Sequence, residues 1–289
     1  MILQKEINLI AEREGVHQDT IDKNWVLGHF LAELFRAEWA QQNLIFKGGT
    51  CLKKCYFKDY RFSEDLDFTL INADFVITDK LILAVCANIT EKAGILLHPN
   101  KIEQVMSQDQ FCGYKVIIRF WGANHKLNQQ PTAPQRWLTS IKVEITSFEK
   151  MIDMPNYRQL MSNFSDSKQF AEIKIPCYSI LEIIAEKFRS LLQRSYSAPR
   201  DYYDLWYILR NEKVDWEKIL AIFNEKMTFK AIRFLGYQDF FEESRINKVM
   251  RQWENSLQGH IRYDELPDFE IVLSDLKTIC KNIEWVEIQ

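Results

Sequence analysis

The spacing of apolar positions changes period along this 289-residue chain and divides it in two. Residues 3–14 and 21–37 have a helical pattern. In the second, Ile21, Trp25, Val26, Phe30, Leu31 and Leu34 recur near helical spacing, so one face carries them. LIFK (44–47) is a short apolar strand closed by Gly48-Gly49, after which LKKCYF starts a helix. LDFTL (66–70) reads as a strand and 78–94 as a helix ending near Gly94; 113–121 and 139–148 alternate at period two, as strands do. Between those last two lies NHKLNQQPTAPQRW, polar and twice interrupted by proline, which reads as a loop carrying Lys126 and Arg136. Beyond Pro155 the pattern is helical nearly to the end. The expectation is an α+β chain: residues 1–155 form a strand-bearing domain with N-terminal helices, and 156–289 a mainly helical domain that closes a cleft.

Within this frame, FKGGTCLKKCYFKDYRFSEDLDFTL (46–70) carries the first chemistry. Strand, Gly48-Gly49-Thr50, then helix is a way to hold phosphate. Glycines let the backbone approach, helix N-terminal N–H groups point at the anion, and Thr50 adds a hydroxyl. A tight turn without ligand has the same sequence. Asp65 and Asp67 alternate with Leu66 and Phe68, so both carboxylates share one face of the strand. Like charges side by side repel unless a cation intervenes, and Mg²⁺ (or Mn²⁺) accepts one or two carboxylates together with phosphate oxygens. The plainer alternative is an acidic strand edge partnered by Arg61 or Lys58. Glu144, alternating with Val143 and Ile145, is the candidate for a third carboxylate.

The later half adds charges of both signs. In YSILEIIAEKFRSLLQR, Lys187 falls inside the apolar stripe and Arg194 follows seven residues on, along nearly the same line. They read either as cations for a triphosphate in the cleft or, for the lysine, as an aliphatic stem at an apolar rim. Asp201 and Asp204 share a face at the next helix start; they orient those cations or simply cap and salt-bridge their helix.

Composition narrows the class. Net charge is −3 from 37 basic and 40 acidic residues, which excludes a generally basic nucleic-acid coat but not a local basic groove. The six cysteines form no CxxC pair and read as reduced, buried thiols. The charged start MILQKEINLIAEREG has no apolar core and no 18-residue apolar run occurs, so a soluble cytoplasmic protein with no membrane partner is expected.

IDKNWVLGHFLAELF, LIFKGGTCL, RFSEDLDF, IKVEI, EIIAEKFRSLLQR and RDYYDLW, in this order over roughly residues 20–210, resemble the AbiEii/AbiGii toxin family of nucleotidyltransferases, which includes the MenT-type toxins. The resemblance implies a fold of the DNA polymerase β type, with a short mixed sheet flanked by helices and a helical C-terminal domain. It implies metal-dependent transfer of a nucleotide from an NTP, in a type IV toxin–antitoxin or phage-defence pair. RNA, tRNA in particular, is the implied acceptor, and the implied partner is an antitoxin encoded nearby that need not touch the toxin. Gly48, Gly49 and Thr50 would be the phosphate turn, Ser63 a supporting hydroxyl, and Asp65 and Asp67 the metal ligands. Lys187 and Arg194 match the family's lysine–x6–arginine helix, and Asp201 with Asp204 its last acidic motif. Thr50 stands where serine is usual in the wider superfamily, the gap to Asp65 is longer, and Glu144 replaces a more usual aspartate. Rival readings keep the chemistry on a protein acceptor, replace it with a metal-dependent glycosyl transfer through spaced aspartates, or reduce the chain to an NTP-binding module without catalysis.

Overall fold

The computed structural model describes residues 2–107, 109–126, 128–194 and 198–288. In chain order they form α1 (Gln4–Glu14), α2 (Gln18–Leu34), α3 (Glu38–Asn43), β1 (Leu44–Lys47), α4 (Gly48–Cys51) continuing as a π-helical turn over Leu52–Tyr56, β2 (Asp65–Leu70), α5 (Asp79–Ala93), β3 (Leu96–Pro99), β4 (Glu103–Ser107), β5 (Gln110–Trp121), β6 (Ser140–Thr146), β7 (Asn156–Gln159), β8 (Lys174–Cys177), α6 (Ile180–Gln193), α7 (Pro199–Asn211), α8 (Trp216–Phe229), α9 (Glu243–Leu257) and α10 (Phe269–Lys281). Two compact units emerge. The first holds the chain up to Glu149, Pro155–Tyr178 and Gly259–Ile261; the second holds Lys150–Met154, Ser179–Gln258 and the chain from Arg262 on.

The first unit is built on one mixed sheet ordered β3-β5-β6-β2-β1-β8-β7, with β4 added on β5. β1 and β2 are antiparallel neighbours joined through α4, whereas β2 runs parallel to β6 and β1 parallel to β8. Leu66 and Phe68 on β2, Val143 and Ile145 on β6, and Val116, Ile118 and Phe120 on β5 are all buried, alternating along their strands with half-buried positions. The apolar stripe of α2, with Trp25, Phe30 and Leu31 fully buried, packs beside α5. The Phe68 ring lies 5.2 Å from Phe46 and 6.0 Å from Phe35, centroid to centroid. Gly15 and Gly94 end α1 and α5 in the left-handed conformation, φ 63° and 70°, where a Cβ is disfavoured.

The helical pattern placed after Pro155 begins later than the sequence suggests. β7 and β8 intervene, and both join the sheet of the first unit. Asn-Tyr-Arg-Gln is wholly exposed and Lys-Ile-Pro-Cys has a single alternating pair, so neither run is long enough to display a period. Pro176 is tolerated because β8 meets β1 over a very short ladder. The hairpin β3–β5 with β4 was also unforeseen; its first two strands are half-buried and exposed throughout. The loop after β5 carries a short 3₁₀ turn, Pro134–Arg136, anchored by buried Trp137, whose indole donates to the Thr132 carbonyl at 2.9 Å. Lys126 and Arg136 are exposed on it.

The second unit is helical. Ser179 caps α6 by accepting from the Glu182 N–H at 3.1 Å. Pro199 opens α7 and Asp215 caps α8. Phe188, Phe223, Phe234, Phe240 and Trp285 form one aromatic cluster with centroids about 5–6 Å apart. At its polar margin Lys226, fully buried, sits 2.6 Å from Glu182, also fully buried, and donates to the Lys150 carbonyl. Glu182 in turn accepts from the Ile152 and Asp153 N–H groups, fastening residues 150–154 to α6.

Candidate active site

The opening turn and the acidic strand come together through β1 and β2. In their antiparallel register Lys47 is opposite Asp67, so Gly48 follows beside the carboxylate. Gly48 has φ +81°, and a Cβ there would collide with the Asp67 carboxylate. Both facts require glycine at this point. A Cβ on Gly49 would stand 2.8 Å from the Arg61 guanidinium and 3.1 Å from Ser63 Oγ. Arg61 and Ser63 therefore crowd the turn. Thr50 is buried and its hydroxyl donates to the Asp65 carbonyl at 2.5 Å. That proton braces the turn against β2, leaving backbone N–H groups as the turn's donors for an anion.

Asp65 and Asp67 do share a face, with Leu66 and Phe68 buried behind them. Parallel pairing sets Asp65 opposite Lys142 and Asp67 opposite Glu144, and Lys115 of β5 lies opposite Glu144 on the far side. One face of the sheet thus carries Lys47, Asp65, Asp67, Lys142, Glu144 and Lys115 in adjoining strands. Burial pushes the Asp67 carboxyl up to about 6; Lys47 opposes the shift, and Glu144 and Asp65 add to it. Asp65 is raised as well, by burial first and then by Glu144 and Glu64 against Lys142. Glu144 is held by Lys142 at 2.8 Å, and the three carboxylates do not all lie within 4.8 Å of one another. Among the cations acting on the acidic pair are Lys47, Lys142 and Lys23, none of which the sequence pattern singled out. Half-buried oxygen donors kept from ionising by burial and mutual repulsion are the donor set that a hard divalent cation relieves. Asp65 and Asp67 fit such an ion; Glu144 joins them only by exchanging its lysine partner.

The residues of the helical unit form their own set. Lys187, 10% exposed in its side chain, lies 3.0 Å from Asp201 and 2.5 Å from Asp204. Arg194, just past the end of α6, pairs with the other oxygen of Asp201. Asp204 is fully buried and Arg194 is 38% exposed. Of the two readings for Asp201 and Asp204, holding the cations is the one realised. Asp201 bridges lysine and arginine, and Lys187 sits within an apolar stripe, where a buried charge needs a carboxylate partner.

Sequence reasoning missed Lys47, Lys115 and the place of Arg61. Lys47 ends an apolar run and Lys115 sits in a strand scored only for its hydrophobic alternation, and pairing register alone shows what faces them. A glycine turn locked onto an aspartate that shares a mixed-sheet face with further carboxylates is the candidate site. Residues 29–275 match the family described as Nucleotidyl transferase AbiEii toxin, Type IV TA system, and the chain belongs to that family. Its fold is similar to that of MenT4, a nucleotidyltransferase toxin from Mycobacterium tuberculosis H37Rv. The TM-score is 0.67 at 17% identity, over 98% of this chain and 91% of that one. No curated protein matches the chain. Among the described residues no helix is long and apolar enough to cross a membrane.

Proposed function

We propose that this toxin transfers a nucleotide from an NTP to the 3′-hydroxyl of an RNA, tRNA being the acceptor class, in the cytoplasm: the hydroxyl oxygen bonds to the α-phosphorus as the bond to pyrophosphate breaks and pyrophosphate leaves. In this reading it is the toxic half of a type IV pair that serves phage defence, beside a nearby-encoded antitoxin. The observation that carries the reading is the lock between Gly48 and Asp67, which brings the glycine turn and a carboxylate side by side on one strand pair and so supports a site for phosphate and metal there. Asp65 and Asp67 would hold Mg²⁺ (or Mn²⁺), which would supply positive charge against the negative charge developing on the phosphoryl oxygens. The N–H groups around Gly48 and Gly49 orient the phosphates, with Ser63 and Arg61 beside them. Glu144, once free of Lys142, takes the proton of the attacking hydroxyl. In the helical unit, Lys187 and Arg194, held by Asp201 and Asp204, are the residues that the family resemblance offers as phosphate-directed cations.

The test is total RNA incubated with each labelled NTP, Mg²⁺ and the full chain, wild type against Asp65→Asn. Label should enter RNA with one NTP preferred, and the substitution should lower transfer by about 10²–10³-fold or more. Label in a protein pool would refute the RNA acceptor, and undiminished transfer by Asp65→Asn would refute the site.

A further inference from the structure

Three cysteine side chains meet inside the first unit, away from the acidic face. Cys51 ends α4, Cys55 follows on the π-helical turn, and Cys177 closes β8. Their sulfurs all lie within 4.8 Å of one another, and the residues are 0%, 1% and 0% exposed. Spacing i, i+4 puts the first two on one helical face. The parallel pairing of β8 with β1, Cys177 opposite Phe46, delivers the third.

A buried thiol by itself is a small apolar side chain and requires no ligand. This trio has two basic side chains beside it, one of them with its pKa lowered by burial to about 7. Lys54 is buried, with its ammonium donating to the Asn24 carbonyl at 2.7 Å, and the Arg158 guanidinium donates to the Cys55 carbonyl at 3.0 Å. Burial resists ionisation of Cys55, yet hydrogen bonds from Cys177 and Cys51 and the charges of Lys54 and Arg158 hold it below the ordinary thiol range. Burial pushes Cys51 and Cys177 well up.

We propose that Cys51, Cys55 and Cys177 form a three-coordinate site for a soft thiophilic cation, specifically Cu(I). Bonds of about 2.3 Å to a central ion put three sulfurs about 4 Å apart in a trigonal arrangement, which the observed spacing accommodates. Zn²⁺ asks for a fourth ligand or an open water position. The trio is the one such ligand group among the described residues, and its burial seals it from solvent. Thiolates select Cu(I), whereas hard ions go to oxygen donors such as Asp65 and Asp67. Binding displaces to solvent whatever protons the three sulfurs still hold and leaves the copper–trithiolate with two net negative charges, beside the Arg158 guanidinium and the Lys54 amine, whose pKa burial lowers to about 7. No oxidation is involved, since copper enters and stays as Cu(I). The bound ion would fasten the helix that follows Gly48-Gly49-Thr50 to β8.

The full reduced chain, held without oxygen, should be titrated with Cu(I) against a coloured Cu(I) chelator. About one equivalent per chain should pass to the protein, and X-ray absorption at the copper edge should show three sulfurs at about 2.3 Å. Cys55→Ser and Cys177→Ser should each weaken retention by about a hundredfold. Cys86→Ser and Cys280→Ser, buried cysteines outside the trio, should not. Copper left with the chelator, a copper site with nitrogen, oxygen or only two sulfur neighbours, or equal retention by Cys55→Ser would overturn the proposal. So would wild-type protein lighter by two hydrogens, which would place a disulfide within the trio. The chelator and absorption measurements use the wild type, so they decide the matter even if a variant fails to fold.

Discussion

Replacing Asp67 by asparagine should stabilise the metal-free protein while abolishing transfer. Asp67 stands opposite Lys47 on one side and Glu144 on the other, and burial moves its carboxyl from 3.8 to about 6. Two pKa units correspond to about 3 kcal/mol by which the folded state disfavours the ionised form. Asp67 is half-buried, and solvent screening brings the expected gain to about 1–2 kcal/mol. The sign follows from linkage. A raised folded pKa means the fold holds the proton more tightly than the unfolded chain. The carboxyl therefore costs nothing below about pH 4, costs progressively more between about pH 4 and 6, and reaches its full cost above. Urea unfolding in EDTA should show the two proteins equal near pH 4, and the asparagine variant ahead near pH 7.5. Adding Mg²⁺ at the higher pH should stabilise wild type and leave the variant unmoved, since only a native carboxylate pair binds the ion. A variant less stable than wild type at the higher pH, or a gap that does not change with pH, would refute the reasoning.

Gly48→Ala combines a left-handed φ with a collision against Asp67 and should destabilise by about 2–4 kcal/mol; denaturant titration should show Asp67→Ala in the same chain recovering only the collision part. Lys226→Ala leaves fully buried Glu182 without its 2.6 Å cation and should cost about 3–5 kcal/mol, read by calorimetry of the helical unit's transition. Lys187→Met removes the charge between Asp201 and Asp204 at a similar cost, and Asp204→Asn in that background should restore part of it, giving a coupling in a double-mutant cycle.

The parts of the fold legible in the chain were those whose side chains alternate over five or more residues. β2, β5 and β6 declare themselves through Leu66 and Phe68, Val116 and Ile118, Val143 and Ile145, and the same alternation put Asp65, Asp67 and Glu144 on one sheet face. β4, β7 and β8 are four or five residues long and exposed, or too short, to show a period. The candidate site was legible where its residues are neighbours in the chain. Its electrostatics were not: Lys47 and Lys142 act on the aspartates through strand pairing, and no spacing encodes which strand lies beside which. The cysteine trio was hidden for the same reason, because Cys177 reaches Cys51 only through the β1–β8 ladder. Lys187 gave itself away by violating a helical stripe, and its carboxylate partners lay within one further helix.

That ladder has a kinetic side. β1 sits between a partner reached within a few tens of residues and another, β8, that is synthesised far later. At roughly 5–20 residues per second, the ribosome needs on the order of ten seconds between Phe46 and Cys177. During that interval the nascent strand bearing the glycine turn has one bare edge, a template for pairing with other chains. The sheet is finished only when a segment from beyond the middle of the chain arrives, so a truncated translation product would contain every acidic residue of the sheet face yet lack a completed scaffold to hold them.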